Sequence, residues 1–144
     1  MATTSLSKEM LEAHPAPAQL DRDLLARCID ECLACLQSCT ACADANLAED
    51  DVAEMRRCIR LCLDCADVCD ATARLLSRQT DYVAESARAQ VASCRELCAL
   101  CAGECERHAD HHEHCRLCGE ECRRCEQACS EVLEAIGAPR KLKP

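Results

Sequence analysis

Eighteen cysteines in 144 residues are the feature of this chain that can do chemistry, and thiolates in such number suit soft metal ions, disulfides or thiol redox exchange. They stand at Cys28, Cys32, Cys35, Cys39 and Cys42, then at Cys58, Cys62, Cys65 and Cys69. Two further groups follow: Cys94, Cys98, Cys101 and Cys105, and Cys115, Cys118, Cys122, Cys125 and Cys129. Within each group the steps alternate between four and three residues. That is the roughly 3.5-residue period of a and d positions on a helix, so every cysteine of a group falls on one seam. Four such seams facing one another fill a core with sulfur.

Disulfides explain the pattern poorly. A bond between cysteines three or four apart on one helix joins residues already held together and constrains little. The first twenty residues contain no long apolar run and no twin arginine, so the expectation is a cytoplasmic protein, where disulfides are disfavoured. Cysteine used only as a small buried hydrophobe is also a poor fit, since Leu, Ile or Val would bury more apolar surface without the oxidation risk. A redox enzyme needs one thiol pair set apart by a cation or a helix N-terminus, whereas these thiols are equivalent. No serine triad, carboxylate dyad or phosphate loop accompanies them, and the chain reads as a non-enzyme.

The elements that must position the thiols are helices. Gly and Pro are nearly absent between Asp21 and Ile136, and Ala, Leu, Glu and Arg dominate. Four helices are expected, at about 21–46, 51–77, 81–109 and 111–136. Asp21 is the expected first cap, Asp51 with Glu54 a capping box, Thr80 or Asp81 the third cap and Asp110 with Glu113 a second box, with Gly137 and Pro139 ending the last helix. Short connections between long helices imply an all-α, antiparallel up-down-up-down four-helix bundle with a Cys-lined core spanning 21–144. Residues 1–20 form a separate arm, with a short helix from Ser5 to Ala13 and a linker at His14-Pro15-Ala16-Pro17. In an antiparallel register the cysteines meet in layers: Cys42, Cys58, Cys105 and Cys115; Cys39, Cys62, Cys101 and Cys118; Cys35, Cys65, Cys98 and Cys122; Cys32, Cys69, Cys94 and Cys125. Cys28 and Cys129 are left over, and a register slipped by one layer is the alternative.

Among soft ions, the spacing argues against iron-sulfur clusters, which need loop-borne cysteine runs. Zinc suits one layer of four thiolates, but each such site is a dianion, and several stacked about 5 Å apart in a dry core repel strongly. Cu(I) takes two or three thiolates, and bridging sulfurs balance the charge at about one ion per cysteine. The expected cargo is therefore Cu(I), multiple ions per chain. A zinc or mixed-metal buffer of the metallothionein kind is the alternative.

The two ends of the seam differ. Beyond one end lie Asn46, Met55, His108 and His111 or His112, with His114 in the same turn, so Met55, His108, His111 and His112 join the candidate metal ligands. Beyond the other lie Leu24, Leu25, Leu76, Val91, Val132, Leu133 and Ile136, an expected apolar plug. Ions are expected to enter at the histidine end, although a solvated turn around Asp110 would show the same residues. Off the seam, Ile29, Leu33, Leu36, Leu63, Leu100 and Leu117 suggest contacts between copies, hence a homo-oligomer, unless Ile29 and Leu36 only widen the seam. His14 and Met10 are expected at the surface of the arm. A net charge of −9 without a basic face excludes nucleic acid, Lys141 and Lys143 being too few to matter, and no run is apolar enough for a membrane span.

The cysteines from Cys28 to Cys129, over residues 21 to 136, closely resemble those of the bacterial copper storage proteins, and the missing signal resembles their cytosolic branch. The resemblance implies a four-helix bundle that assembles as a homotetramer and loads Cu(I) on its inward cysteines, with His and Met residues near the open end. It also implies a copper donor or acceptor as partner.

Overall fold

A computed structural model describes residues 5–137; Pro139, Lys141 and Lys143, and the outer ends of the 1–20 arm and the 21–144 unit, lie outside them. The described residues are all-α. Helix α1 spans Leu6–Ala13, α2 Arg22–Leu47, α3 Arg56–Ser77, α4 Ala84–His108 and α5 Glu113–Ile136, with a 3-10 turn at Val52–Met55 before α3.

Capping explains two helix starts and not the others. The Leu24 amide donates to Asp21 Oδ1 at 3.0 Å, and the Lys8 amide to Ser5 Oγ at 3.2 Å, each satisfying an orphan N–H of the first turn. The expected capping boxes do not form. Asp51 precedes the 3-10 turn without a side-chain cap bond, and α3 begins at Arg56, because the Asp51 carboxylate is taken by His112. Likewise α5 starts at Glu113 behind His112 rather than behind Asp110, and Glu113 is held by Arg116. Neither Thr80 nor Asp81 caps α4: Val83 precedes Ala84, and Asp81 instead turns the chain at φ 51°. Gly137, with φ 83°, ends α5 in the left-handed region that a side chain would resist.

Helix α2 packs on α3 and α5, and α4 packs on α5 and α3, so the four long helices enclose a common interior. Sulfur fills most of its length. At the end away from the histidines, Leu25, Leu76, Val91 and Val132 are fully buried, with Leu24, Leu133 and Ile136 packed against them, which is the expected apolar plug. Helix α1 lies on α2, burying Leu11 and pairing Lys8 Nζ with Asp23 at 2.8 Å. Met10 is exposed, as expected, and His14 is half-buried with its Nδ1 accepting from the Ala16 amide. Ile29 is buried and Leu36 partly so, so these two widen the intrachain seam, while Leu33, Leu63, Leu100 and Leu117 remain exposed.

One polar contact between α2 and α5 makes stability depend on pH. Burial, and then the neighbouring Glu31 carboxyl, push the Glu121 carboxyl up to about 8, against which Arg124 pulls down. A folded state that holds this proton more tightly than the unfolded chain gains stability below the ordinary glutamate range, and loses it as pH rises through about 8. Thermal melts of the metal-free chain are expected to fall between pH 5 and pH 9, and Glu121→Gln to flatten that slope. Parallel slopes for the two proteins would contradict the assignment.

Candidate metal centre

All eighteen cysteines are free thiols, and each is buried with its sulfur turned into the shared interior. The predicted layers come together. At one end Cys42 meets Cys115 and Cys58 meets Cys105, each at 3.9 Å between sulfurs. Next, Cys39 lies 3.7 Å from Cys118 and 3.9 Å from Cys101, which is 3.7 Å from Cys62. Cys35 then contacts Cys65 at 3.8 Å and Cys122 at 3.7 Å, with Cys98 3.8 Å from Cys65. Cys32 contacts Cys125 at 3.7 Å and Cys94 at 3.9 Å, and Cys69 lies 3.8 Å from Cys94. The pair left over, Cys28 and Cys129, closes the series at 4.0 Å. Residue numbers along α2 thus rise as those of their α5 partners fall.

The layers are not separate sites. Cys62 also reaches Cys105 at 3.9 Å, Cys35 reaches Cys39 at 3.8 Å, and Cys39 reaches Cys122 at 3.6 Å. Lower down, Cys69 lies 3.8 Å from both Cys65 and Cys98. Sets of four sulfurs that fit one ion therefore overlap: Cys39, Cys101, Cys118 and Cys122 form one, and Cys35, Cys39, Cys65 and Cys122 another. Shared ligands are what bridging thiolates require. Such packing also couples the protons. Hydrogen bonding, with Cys122 first at Cys35 and with Cys101 first at Cys118, pulls those thiols down, whereas Cys39 and Cys98 are pushed up, chiefly by Cys101 and Cys125 respectively. Burial opposes every thiolate in the array, so an arriving cation must supply the charge balance as it displaces protons.

Beyond Cys42, Asn46 is fully buried, with Nδ2 donating to Cys42 Sγ at 4.0 Å and Oδ1 accepting from Cys115 at 3.7 Å. Met55, at the end of the 3-10 turn, is also fully buried and belongs to the same core cluster as the thiols. The histidines fall differently from the sequence expectation. His108 Nε2 turns back to Glu104 at 2.9 Å, where Arg107 and Arg57 also converge on this buried carboxylate. His111 is exposed, without a contact to sulfur. His112 lies between two carboxylates, Glu49 Oε2 at 2.7 Å from Nδ1 and Asp51 Oδ2 at 3.1 Å from Nε2. Asp51 pushes this imidazole's pKa up and is itself held down by it.

His114 is the histidine that meets the thiols. Its Nδ1 stands 3.4 Å from Cys42 Sγ and 3.6 Å from Cys115 Sγ, and its ring stacks on that of His112 at 5.5 Å between centroids. Sequence reasoning placed His114 in the turn and left it out of the ligand set. The available signal was its adjacency to Cys115: one residue from a seam position at a helix start, a side chain can lean over the seam's open end.

A family model described as copper storage protein matches residues 21–134. Among solved structures, a copper storage protein from Streptomyces lividans loaded with 10 copper equivalents is 54% identical, with a TM-score of 0.88, over 90% of this chain and 98% of that one. A cytosolic copper storage protein from the same organism, carrying five coppers, is 57% identical, with a TM-score of 0.79, over 80% of this chain and 96% of that one. The Cu(I)-bound copper storage protein BsCsp3 is 31% identical, with a TM-score of 0.65, over 74% and 94%. No curated protein sequence matches the chain.

Proposed function

The chain belongs to the copper storage protein family, and we propose from that membership that it stores many Cu(I) ions on the thiolates lining its core. The observation that carries this reading is the column of sulfurs from Cys42 to Cys129: every sulfur lies within 4.0 Å of at least one other, and overlapping sets within 4.8 Å join the end pairs to the rest. Overlapping sets of ligands suit a monovalent soft ion that shares its sulfurs, and they put zinc tetrathiolate dianions too close together. The role is storage rather than catalysis.

All eighteen cysteines serve as ligands in this reading, with Met55 and His114 at the mouth and His108, His111 and His112 around the approach. His114 accepts an incoming ion and passes it to Cys42 and Cys115, the nearest sulfurs. The order of pairs, from Cys42 with Cys115 to Cys28 with Cys129, supports an antiparallel up-down-up-down bundle over 21–144, with 1–20 as an arm. A homo-oligomer is proposed on the exposed Leu33, Leu63, Leu100 and Leu117, and its being a tetramer on the family resemblance alone. Cytoplasmic location is proposed from the cytosolic relative. Among the described residues no helix is long and apolar enough to cross a membrane, and neither a membrane nor nucleic acid is proposed as a partner. A protein that donates or accepts copper is.

Anaerobic titration of the reduced chain tests the reading. Uptake is expected to approach about one Cu(I) per cysteine, with far less Zn(II) bound. His114→Ala is expected to slow loading roughly tenfold or more at unchanged capacity, the usual scale for a displaced metal-site partner. Saturation at a few cuprous ions would overturn storage, and unchanged loading kinetics would remove His114 from the path.

A further inference from the structure

The rim of the mouth carries a second set of ligand atoms, chemically unlike the sulfur column below it. Glu49, in the turn after α2, directs its two oxygens to two different imidazoles: Oε2 to His112 Nδ1 at 2.7 Å and Oε1 to His114 Nε2 at 3.7 Å. The edge of a tetrahedron built on bonds of about 2.0–2.1 Å is ~3.3 Å, between those two separations. His114 Nε2 is buried yet makes no hydrogen bond. His112 has a carboxylate against each ring nitrogen, and a metal cation seated between Glu49 and Nδ1 can take the place that a second ring proton would fill. With the ring proton on Nε2 facing Asp51, Nδ1 is free to ligate, the carboxylate–histidine–metal arrangement.

We infer that Glu49, His112 and His114 form a binding site for one borderline divalent cation of the Zn(II) class, separate from the cuprous column and seated over its mouth. Two imidazoles and a carboxylate suit such an ion, whereas the thiols below favour Cu(I). An ion there engages Nε2 of the imidazole whose Nδ1 faces Cys42 and Cys115, and it ties the turn after α2 to the start of α5. With the storage reading as its basis, the consequence is a lid: the divalent ion immobilises His114 and slows cuprous ions passing in or out.

The test uses the whole chain loaded with Cu(I), so that thiols are occupied, and Co(II) as a spectroscopic probe. One Co(II) is expected to bind with visible ligand-field bands and without the near-ultraviolet charge-transfer bands of a thiolate ligand. Glu49→Gln is expected to weaken that binding at least tenfold, at unchanged helix content and unchanged Cu(I) capacity. Zn(II) is expected to slow removal of Cu(I) by a cuprous chelator severalfold in the parent chain and not in Glu49→Gln. Thiolate-to-cobalt bands, no cobalt uptake, or equal uptake by the two proteins would overturn the site; equal copper-removal rates with and without Zn(II) would overturn the lid. Copper content is measured before cobalt is added, so a chain that failed to load copper would count against storage alone, and the cobalt comparison is read only on copper-filled chain.

Discussion

Replacing Cys39 and Cys122 together by alanine is expected to cost far more cuprous ions than the two sulfurs removed. The shortest sulfur contacts that join the mouth half of the column to its deep half run through these positions. They are Cys35 to Cys39 at 3.8 Å, Cys39 to Cys122 at 3.6 Å and Cys118 to Cys122 at 4.0 Å. The deep end is sealed by Leu25, Leu76, Val91 and Val132, so an ion reaches Cys28 and Cys129 only by exchange from sulfur to sulfur. Cutting these contacts in the middle leaves only the approach of Cys101 to Cys65 between the halves, in a dry core that water cannot bridge. Rapid loading is then expected to stop at about two fifths of the parent capacity, at about one ion per remaining mouth-side thiol, with the deep thiols filling slowly. As a control, Cys28→Ala with Cys129→Ala removes two sulfurs at the blind end and is expected to lose only the ions those thiols held. Equal losses from the two double variants in an anaerobic Cu(I) titration would end the idea of transfer along the column.

Copper loading is expected to raise the melting temperature by tens of degrees. The metal-free core is a weak one: it has no Phe or Trp, and its large apolar side chains are concentrated in the plug. Thiols at 3.6–4.0 Å contribute only weak hydrogen bonds. Each site occupied at about 100 times its dissociation constant adds ~2.7 kcal/mol, provided the unfolded chain binds poorly. For a chain of this size ~1 kcal/mol shifts the midpoint by about 2–4 °C. Several ions therefore suffice for a shift of that scale, and calorimetry at graded loading should show the midpoint climbing with each addition. Midpoints that do not move with copper would mean the ions sit outside the folded core.

The sulfur core was legible because a 3.5-residue period in four segments leaves a single way to bury all of the cysteines at once. Short connections then gave which sulfurs meet to within a slip of one layer and left Cys28 and Cys129 over, two residues that the structure pairs at 4.0 Å. The mouth was not legible by the same means. Extending the seam past Cys105 and Cys115 assumed helical phase up to residue 109 and again from 111, whereas α4 stops at His108 and α5 starts at Glu113, so that phase is lost at His111 and His112. His108 folds back on Glu104 four residues earlier, and His114 leans over the thiols instead. The capping boxes failed for a related reason. Capping propensity is local, and Asp51 and Glu113 found better partners in His112 and Arg116, the first of them 61 residues away.

The plug of leucines and valines also fixes the order of withdrawal. A vessel with a single opening, filled by hand-over from one sulfur to the next, surrenders the most recent deposit first. Ions beside Cys42 and Cys115 are a current account open to whatever partner docks at the rim, whereas those beside Cys28 and Cys129 leave only when everything above them has gone, and so persist longest through copper starvation.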